Sequence, residues 1–272
     1  MNIDTVGPTR ILSLARPHRL NAMNGQEWSE LLTNIRRAED DEAIRCLVLR
    51  GEGRVFCAGN DIKETAAFTT TAQARAYFLD LMVPALAAMA SSRLPIVAAV
   101  HGMALGAGLE LMQFCDVVVA AESCKFQLPE TGLGLWATVF LGSASYCTHP
   151  RATQYLALTG ESISAQEALQ WQLITGMVPD EGLLDAVMQI ATKIATNAPR
   201  ATALSKAFTN RTLLTEAMPV VREALSRLID ETLFKDESTE GVAAFLEKRR
   251  PNYGRSDGSA SSRGEEKRST VT

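Results

Sequence analysis

The chain of 272 residues is poor in the residues that mark a metal centre, a disulfide scaffold or a nucleic-acid surface. It has only three histidines, His18, His101 and His149, and none stands at a ligand spacing from another metal-binding residue, so no metal site is expected. Its five cysteines, Cys46, Cys57, Cys115, Cys124 and Cys147, are odd in number, form no CxxC pair and lie in apolar contexts. They read as reduced packing residues, which predicts a cytoplasmic protein. Excess positive charge is missing too: the net charge is −4, and the helical stretch "NIRRAEDDEAIR" mixes its signs. Binding to nucleic acid through phosphates is therefore disfavoured. The first twenty residues hold no apolar core behind a basic flank, so no secretory leader is expected.

One apolar run raises a membrane question. Ile96 to Phe114 spans nineteen residues and contains Gly102-x-x-x-Gly106, a spacing that helix pairs use in membranes. Pro95 precedes it, and His101 and Glu110 lie within it, so a buried strand, loop and helix fit better than a membrane span. A carboxylate in the most apolar segment still asks for a reason, since burying a charge is costly.

The residues that are present describe an α/β protein. "TRILSLAR" alternates like a strand, while "IRCLVLRG", "IVAAVHG" and "CDVVVAAES" are continuous apolar runs, as in a sheet covered on both faces. Helical patterns lie between them: Asn24 to Asp40, with Trp28, Leu31, Leu32 and Ile35 on one stripe, and Thr71 to Ala90 around Pro84. Beyond residue 150 the strand signal fades to "LITGMVP". Ser164 and Glu167 form a capping box, and helices are predicted over 181–196, 200–213, 216–234 and 240–249. The domain reading is an α/β core over 1–195, a helical oligomerisation region over 196–253 and a flexible tail over 254–272.

Two segments share a layout of buried strand, glycine-bearing loop and helix start. In "CLVLRGEGRVFCAGNDIKE" Gly59 and Asn60 precede a helical turn, and in "IVAAVHGMALGAG" the helix starts near Ala107. Backbone N–H groups at such starts lack intrahelical partners, so two of them facing inward would make an oxyanion hole. The second loop is not the GxGxxG of a dinucleotide site. Glu110 falls in the first turn after that loop, and Glu130 follows Pro129 in "CKFQLPETGLGLW". Two carboxylates in an apolar site can divide acid and base work, but spacing along the chain does not show that these two meet.

"FCAGNDIKE" followed by "PIVAAVHGMALGAGLELMQFCDVVVAAESCKFQLPETGLGL" strongly resembles the enoyl-CoA hydratase/isomerase (crotonase) superfamily. The likeness runs from "RPHRLNAM" through "LTGESISAQEALQWQLI" to "EGVAAFLEKRRPNY". It implies a crotonase-like spiral of ββα units with a helical C-terminal trimerisation region, assembled as a homotrimer or a hexamer. It implies an acyl-CoA thioester as ligand, with no cofactor beyond the coenzyme A of the substrate, no metal, no membrane and no nucleic acid. The oxyanion N–H groups fall on Asn60 and Ala107, and the catalytic carboxylates on Glu110 and Glu130. Substrate contacts fall on Arg19, Leu20, Ala58, Asn60, Asp61, Ile62, Lys63, Gly106, Ala107 and Trp136. Phe245 and Lys248 are placed near a coenzyme A of the same or an adjacent subunit. The implied activity is hydration of a trans-2-enoyl-CoA, a lyase reaction in fatty acid metabolism, with Glu110 activating water and Glu130 protonating C2. The alternative is a Δ3,Δ2-enoyl-CoA isomerase or another crotonase-type enzyme with Glu130 as main acid/base, because Trp136 and Phe140 in "GLGLWATVFLG" could close the acyl tunnel and exclude water. His101 and Cys57 read as structural neighbours of the site, and Asp116 as a fixture of a helix end.

Overall fold

A computed structural model describes residues 1–254 apart from Cys147. The flexible tail expected over 254–272 falls outside these residues, Gly254 excepted.

Strands β1 (Asn2–Val6), β2 (Thr9–Leu14), β3 (Cys46–Gly51), β4 (Ile96–Val100), β5 (Met103–Leu105), β6 (Val117–Ala121), β7 (Lys125–Gln127), β8 (Ile163–Ser164) and β9 (Gly176–Val178) form two sheets. The larger has six strands in the order β1-β2-β3-β4-β6-β9, and the smaller three in the order β5-β7-β8. From β2 to β9 every neighbour in the large sheet is parallel. Such a sheet is covered on both faces, which is why β3 and β4 read as unbroken apolar runs. Leu47, Leu49, Ile96, Ala98 and Val118 face the main core. Their neighbours Cys46, Val48, Val97, Ala99 and Val119 face a second core.

Helices fill the crossovers. α1 (Gly25–Glu39) is capped by Asn24, whose side chain accepts the Glu27 N–H, and it buries Trp28, Leu31 and Ile35. Then come α2 (Ile62–Thr65), α3 (Thr71–Tyr77) and α4 (Val83–Ser91). α3 and α4 are one continuous helical path, as predicted around Pro84, but a π turn over Phe78–Met82 interrupts it. Proline lacks an N–H and clashes with the carbonyl four residues back, and the wider turn relieves both problems. α5 (Ala107–Met112) and α6 (Thr138–Ser143) are short and buried. α7 (Pro150–Thr159), α8 (Ala165–Gln170) with its Ser164/Glu167 capping box, and α9 (Leu183–Ala195) follow. α9 covers the second core through Leu183, Val187 and Ala191, spaced one turn apart. The C-terminal helices are α10 (Pro199–Thr209), α11 (Met218–Arg227) and α12 (Asp236–Leu246). The helix expected over 200–213 stops at Thr209, and a π turn over Leu213–Ala217 again stands just before a proline, Pro219.

Successive turns of the chain share a plan: one strand to the large sheet, one to the small sheet, then a helical turn. β4, β5 and α5 make one such unit; β6, β7 and a 3-10 turn at Glu130–Leu133 make the next. The unit before them is β3, an isolated bridge from Cys57 to Ala104, and α2. The long apolar run thus resolves into β4, β5 and α5, and among the described residues no helix is long and apolar enough to cross a membrane.

Candidate active site

Register across the small sheet places the functional positions. Cys57 bridges Ala104, and Ala104 pairs with Phe126, so these three are neighbours on successive turns. Chains that leave aligned strands in parallel emerge side by side. Asn60 and Ala107 follow three residues beyond Cys57 and Ala104, and Glu130 four beyond Phe126. All three open onto a cavity of about 100 Å³ whose wall also includes Glu110.

Two backbone N–H groups at this cavity, those of Asn60 and Ala107, have no hydrogen-bond partner among the described residues. Met23 bridges Asn60 by donating to the Gly59 carbonyl (2.8 Å) and accepting from the Asp61 N–H (2.7 Å). That pairing skips the Asn60 N–H, which a parallel bridge turns to the opposite side. Ala107 is the first residue of α5, where N–H groups have no intrahelical partner. The loops approach so closely that side chains would collide. At Gly59 (φ 100°) a Cβ would meet Leu105 O at 3.0 Å and the Ala107 nitrogen at 3.4 Å. At Gly106 (φ 48°) it would stand 2.5 Å from Glu130 Oε1.

The Asn60 side chain is held from behind. Its Oδ1 accepts the Trp28 Nε1–H (3.1 Å) and lies 3.0 Å from the Tyr77 hydroxyl, which is also 2.8 Å from Met23 O. Tyr77 therefore touches both sides of the bridge that presents the Asn60 N–H. Trp28 appears in the sequence only as part of an apolar stripe, and Tyr77, Phe78, Met82, Leu225 and Leu228 carry no motif that would mark them. The available signal was Asn60 itself, a polar side chain in an apolar loop that needs partners.

Glu110 is buried and meets the start of α6: the Phe140 N–H donates to its Oε1 at 2.9 Å. Burial raises its pKa above the ordinary carboxylate range, and the N–H groups of Phe140 and Val139 offset part of that rise. Glu130 is half-buried as a residue, yet its Oε2 is sealed and has no hydrogen-bond partner among the described residues. Burial raises its pKa as well, and the nearby Glu110 carboxylate adds to the rise. Two carboxyls thus meet in one apolar cavity, one fixed by backbone donors and the other free to exchange a proton.

Ala58, Ile62, Gly106 and Trp136 line the cavity with these groups. Arg19, Leu20, Asp61 and Lys63 do not reach its wall. Leu20, with φ 53°, accepts the Ala58 N–H (3.0 Å) and so shapes the loop that carries Asn60. Asp61 is spent on capping α2 and on an ion pair with Arg16 (2.9 Å). Phe140 is corrected in role: its ring is buried away from the cavity wall, and its main chain holds Glu110. Phe245 and Lys248 are exposed near the end of α12. His101 Nε2 lies 2.9 Å from Gly53 O and braces a neighbouring loop. Burial pushes the Cys57 thiol up to about 12, which removes it as a nucleophile at neutral pH. Asp116 anchors a strand rather than a helix end, accepting the Ile96 N–H at 2.7 Å. Among the described residues no group of three His, Cys, Asp or Glu side chains could hold a metal ion.

Comparisons with known proteins show what the chain is similar to. A probable enoyl-CoA hydratase of Mycobacterium leprae is 35% identical over 247 residues, covering 89% of this chain and 93% of the relative. A 2,3-dehydroadipyl-CoA hydratase of Escherichia coli is 32% identical over 250 residues, covering 89% and 94%. A solved enoyl-CoA hydratase/isomerase from Pseudoalteromonas atlantica superposes with a TM-score of 0.82 at 29% identity, covering 93% of this chain and 99% of that one. With the enoyl-CoA hydratase/isomerase family model matching residues 10–256, the chain belongs to that family and has its crotonase fold.

Proposed function

We propose that the protein hydrates a trans-2-enoyl-CoA to a 3-hydroxyacyl-CoA. The carrying observation is the pair of buried carboxyls, Glu110 and Glu130, on the same small cavity as the unspent N–H groups of Asn60 and Ala107. The thioester oxygen sits between those two N–H groups, which stabilise the negative charge that develops when the double bond is attacked. Each such donor contributes on the order of 3 kcal/mol to the transition state. Glu110, fixed by the Phe140 N–H, takes a proton from water as its oxygen adds to C3. Glu130, whose raised pKa lets it hold a proton at neutral pH, delivers that proton to C2. The steps balance, with one water added and no electron transfer. Arg19 and Lys63, basic and exposed on the segments that frame the Asn60 loop, meet the phosphates of coenzyme A.

Exposed apolar side chains on the helical periphery, such as Leu158, Leu204, Phe208 and Phe245, support assembly into a homotrimer or a hexamer. Cys46, Cys57, Cys115 and Cys124 are free thiols, which supports a cytoplasmic location.

The second reading, an isomerase moving the double bond between C3 and C2, would use Glu130 alone, and Trp136 on the cavity wall is the feature that favours it. Spectrophotometry with crotonyl-CoA and with a 3-enoyl-CoA separates the two. Hydration of crotonyl-CoA, lowered about a hundredfold or more in Glu110→Gln and in Glu130→Gln, supports the hydratase. Isomerisation of the 3-enoyl substrate without hydration of crotonyl-CoA rejects it.

A further inference from the structure

The size of the cavity and the chemistry of its wall restrict the acyl group. A cavity of about 150 Å³ lined by aliphatic and aromatic side chains holds benzene, so the ~100 Å³ here has room for roughly four carbons. The wall includes Phe78 and Met82 from the π turn between α3 and α4, and Leu225 and Leu228 at the end of α11. These four are between 1% and 6% exposed and belong to the main core, so none can swing aside without opening a packed interior.

Charge restricts the ligand further. Among the described residues Glu110 and Glu130 are the only ionisable side chains on the wall, with no lysine, arginine or histidine lining it. A carboxylate at the far end of an acyl chain would be a third acid in an apolar cavity, with no cation to offset its desolvation.

Resting on the hydratase reading, we propose that the site selects a short, uncharged 2-enoyl group, with Met82, Leu225 and Leu228 as the residues that set its length. Longer chains clash with this wall, and acyl groups ending in a carboxylate are rejected by its charge.

The test measures kcat/KM for the 2-enoyl-CoA series of crotonyl, hex-2-enoyl and dec-2-enoyl, together with a six-carbon 2-enoyl-CoA ending in a carboxylate. Crotonyl-CoA is expected to be best, with dec-2-enoyl-CoA about a hundredfold lower and the carboxylate-ended substrate about a hundredfold below hex-2-enoyl-CoA. Leu228→Ala is expected to raise the decenoyl-to-crotonyl ratio about tenfold. Should that variant fail to fold, the wild-type series decides alone. Decenoyl turnover within about threefold of crotonyl, or equal use of the two six-carbon substrates, overturns the selection while leaving the hydratase intact. Failure to hydrate any 2-enoyl-CoA overturns the hydratase reading and the selection with it.

Discussion

Gly106 and Tyr77 show how single residues hold the site. A methyl group at Gly106 would press on Glu130 Oε1 at 2.5 Å, in a backbone conformation (φ 48°) that strains any side chain. Gly106→Ala should therefore keep the fold by circular dichroism, lose about 1–3 kcal/mol of stability and lose at least about tenfold in kcat as the carboxylate is displaced. Tyr77 acts at one remove, through Asn60 Oδ1 and Met23 O. Tyr77→Phe keeps the ring and removes only the hydroxyl. Its kcat should fall several-fold with KM little changed, and the loss should shrink in an Asn60→Ala background, where the hydroxyl has less to hold. A hydroxyl that only stabilised the fold would lower the melting temperature equally in both backgrounds and leave kcat alone.

Among the elements, those with strong periodicity were legible from the chain and those shaped by distant contacts were not. β3, β4 and β6 stood out because both faces are buried, and α1 because Asn24 caps an amphipathic stripe. β1 was missed because all of its residues are exposed and its pattern has no apolar face. The π turns before Pro84 and Pro219 depend on how a helix accommodates a proline in its tertiary setting, and local propensity does not report that. Nor did the sequence reveal what ties α10 to the sheet. Lys206 is buried, pairs with Asp116 at 2.8 Å and donates to Leu94 O at 3.0 Å. Asp116 in turn holds the first residue of β4. Lys206→Met leaves the Asp116 carboxylate without its cation, so thermal unfolding should show a loss of about 3 kcal/mol.

For the molecule as a whole, the carboxyl pair couples activity to stability. A carboxyl whose folded pKa lies above its unfolded value binds more protons in the folded state, so stability falls as pH rises through the interval between the two. The pair costs least in acid, below about pH 4, where it is protonated in both states. Glu130→Gln should thus melt higher than wild type at pH 8, by on the order of 1 kcal/mol, with the advantage vanishing toward pH 4. A constant advantage at both pH values would mean that ionisation is not its source.

Glu110 and Glu130 were legible as residues, as were the loops with Asn60 and Ala107. Their meeting was not, because it arises from the alignment of Cys57, Ala104 and Phe126 across turns far apart in sequence. The cavity wall from α11 was hidden for the same reason, as a helix more than a hundred residues beyond Glu110 supplies it. That convergence makes the central claim chemical: water is added at C3 by one carboxylate of a pair. Crotonyl-CoA incubated with the protein in water enriched in heavy oxygen, with the product read by mass spectrometry, tests it most directly. The account predicts one heavy oxygen at C3 of 3-hydroxybutyryl-CoA for the wild type, forming at least about a hundredfold more slowly in Glu110→Gln. Unlabelled product, or labelling as fast in Glu110→Gln as in the wild type, would contradict it.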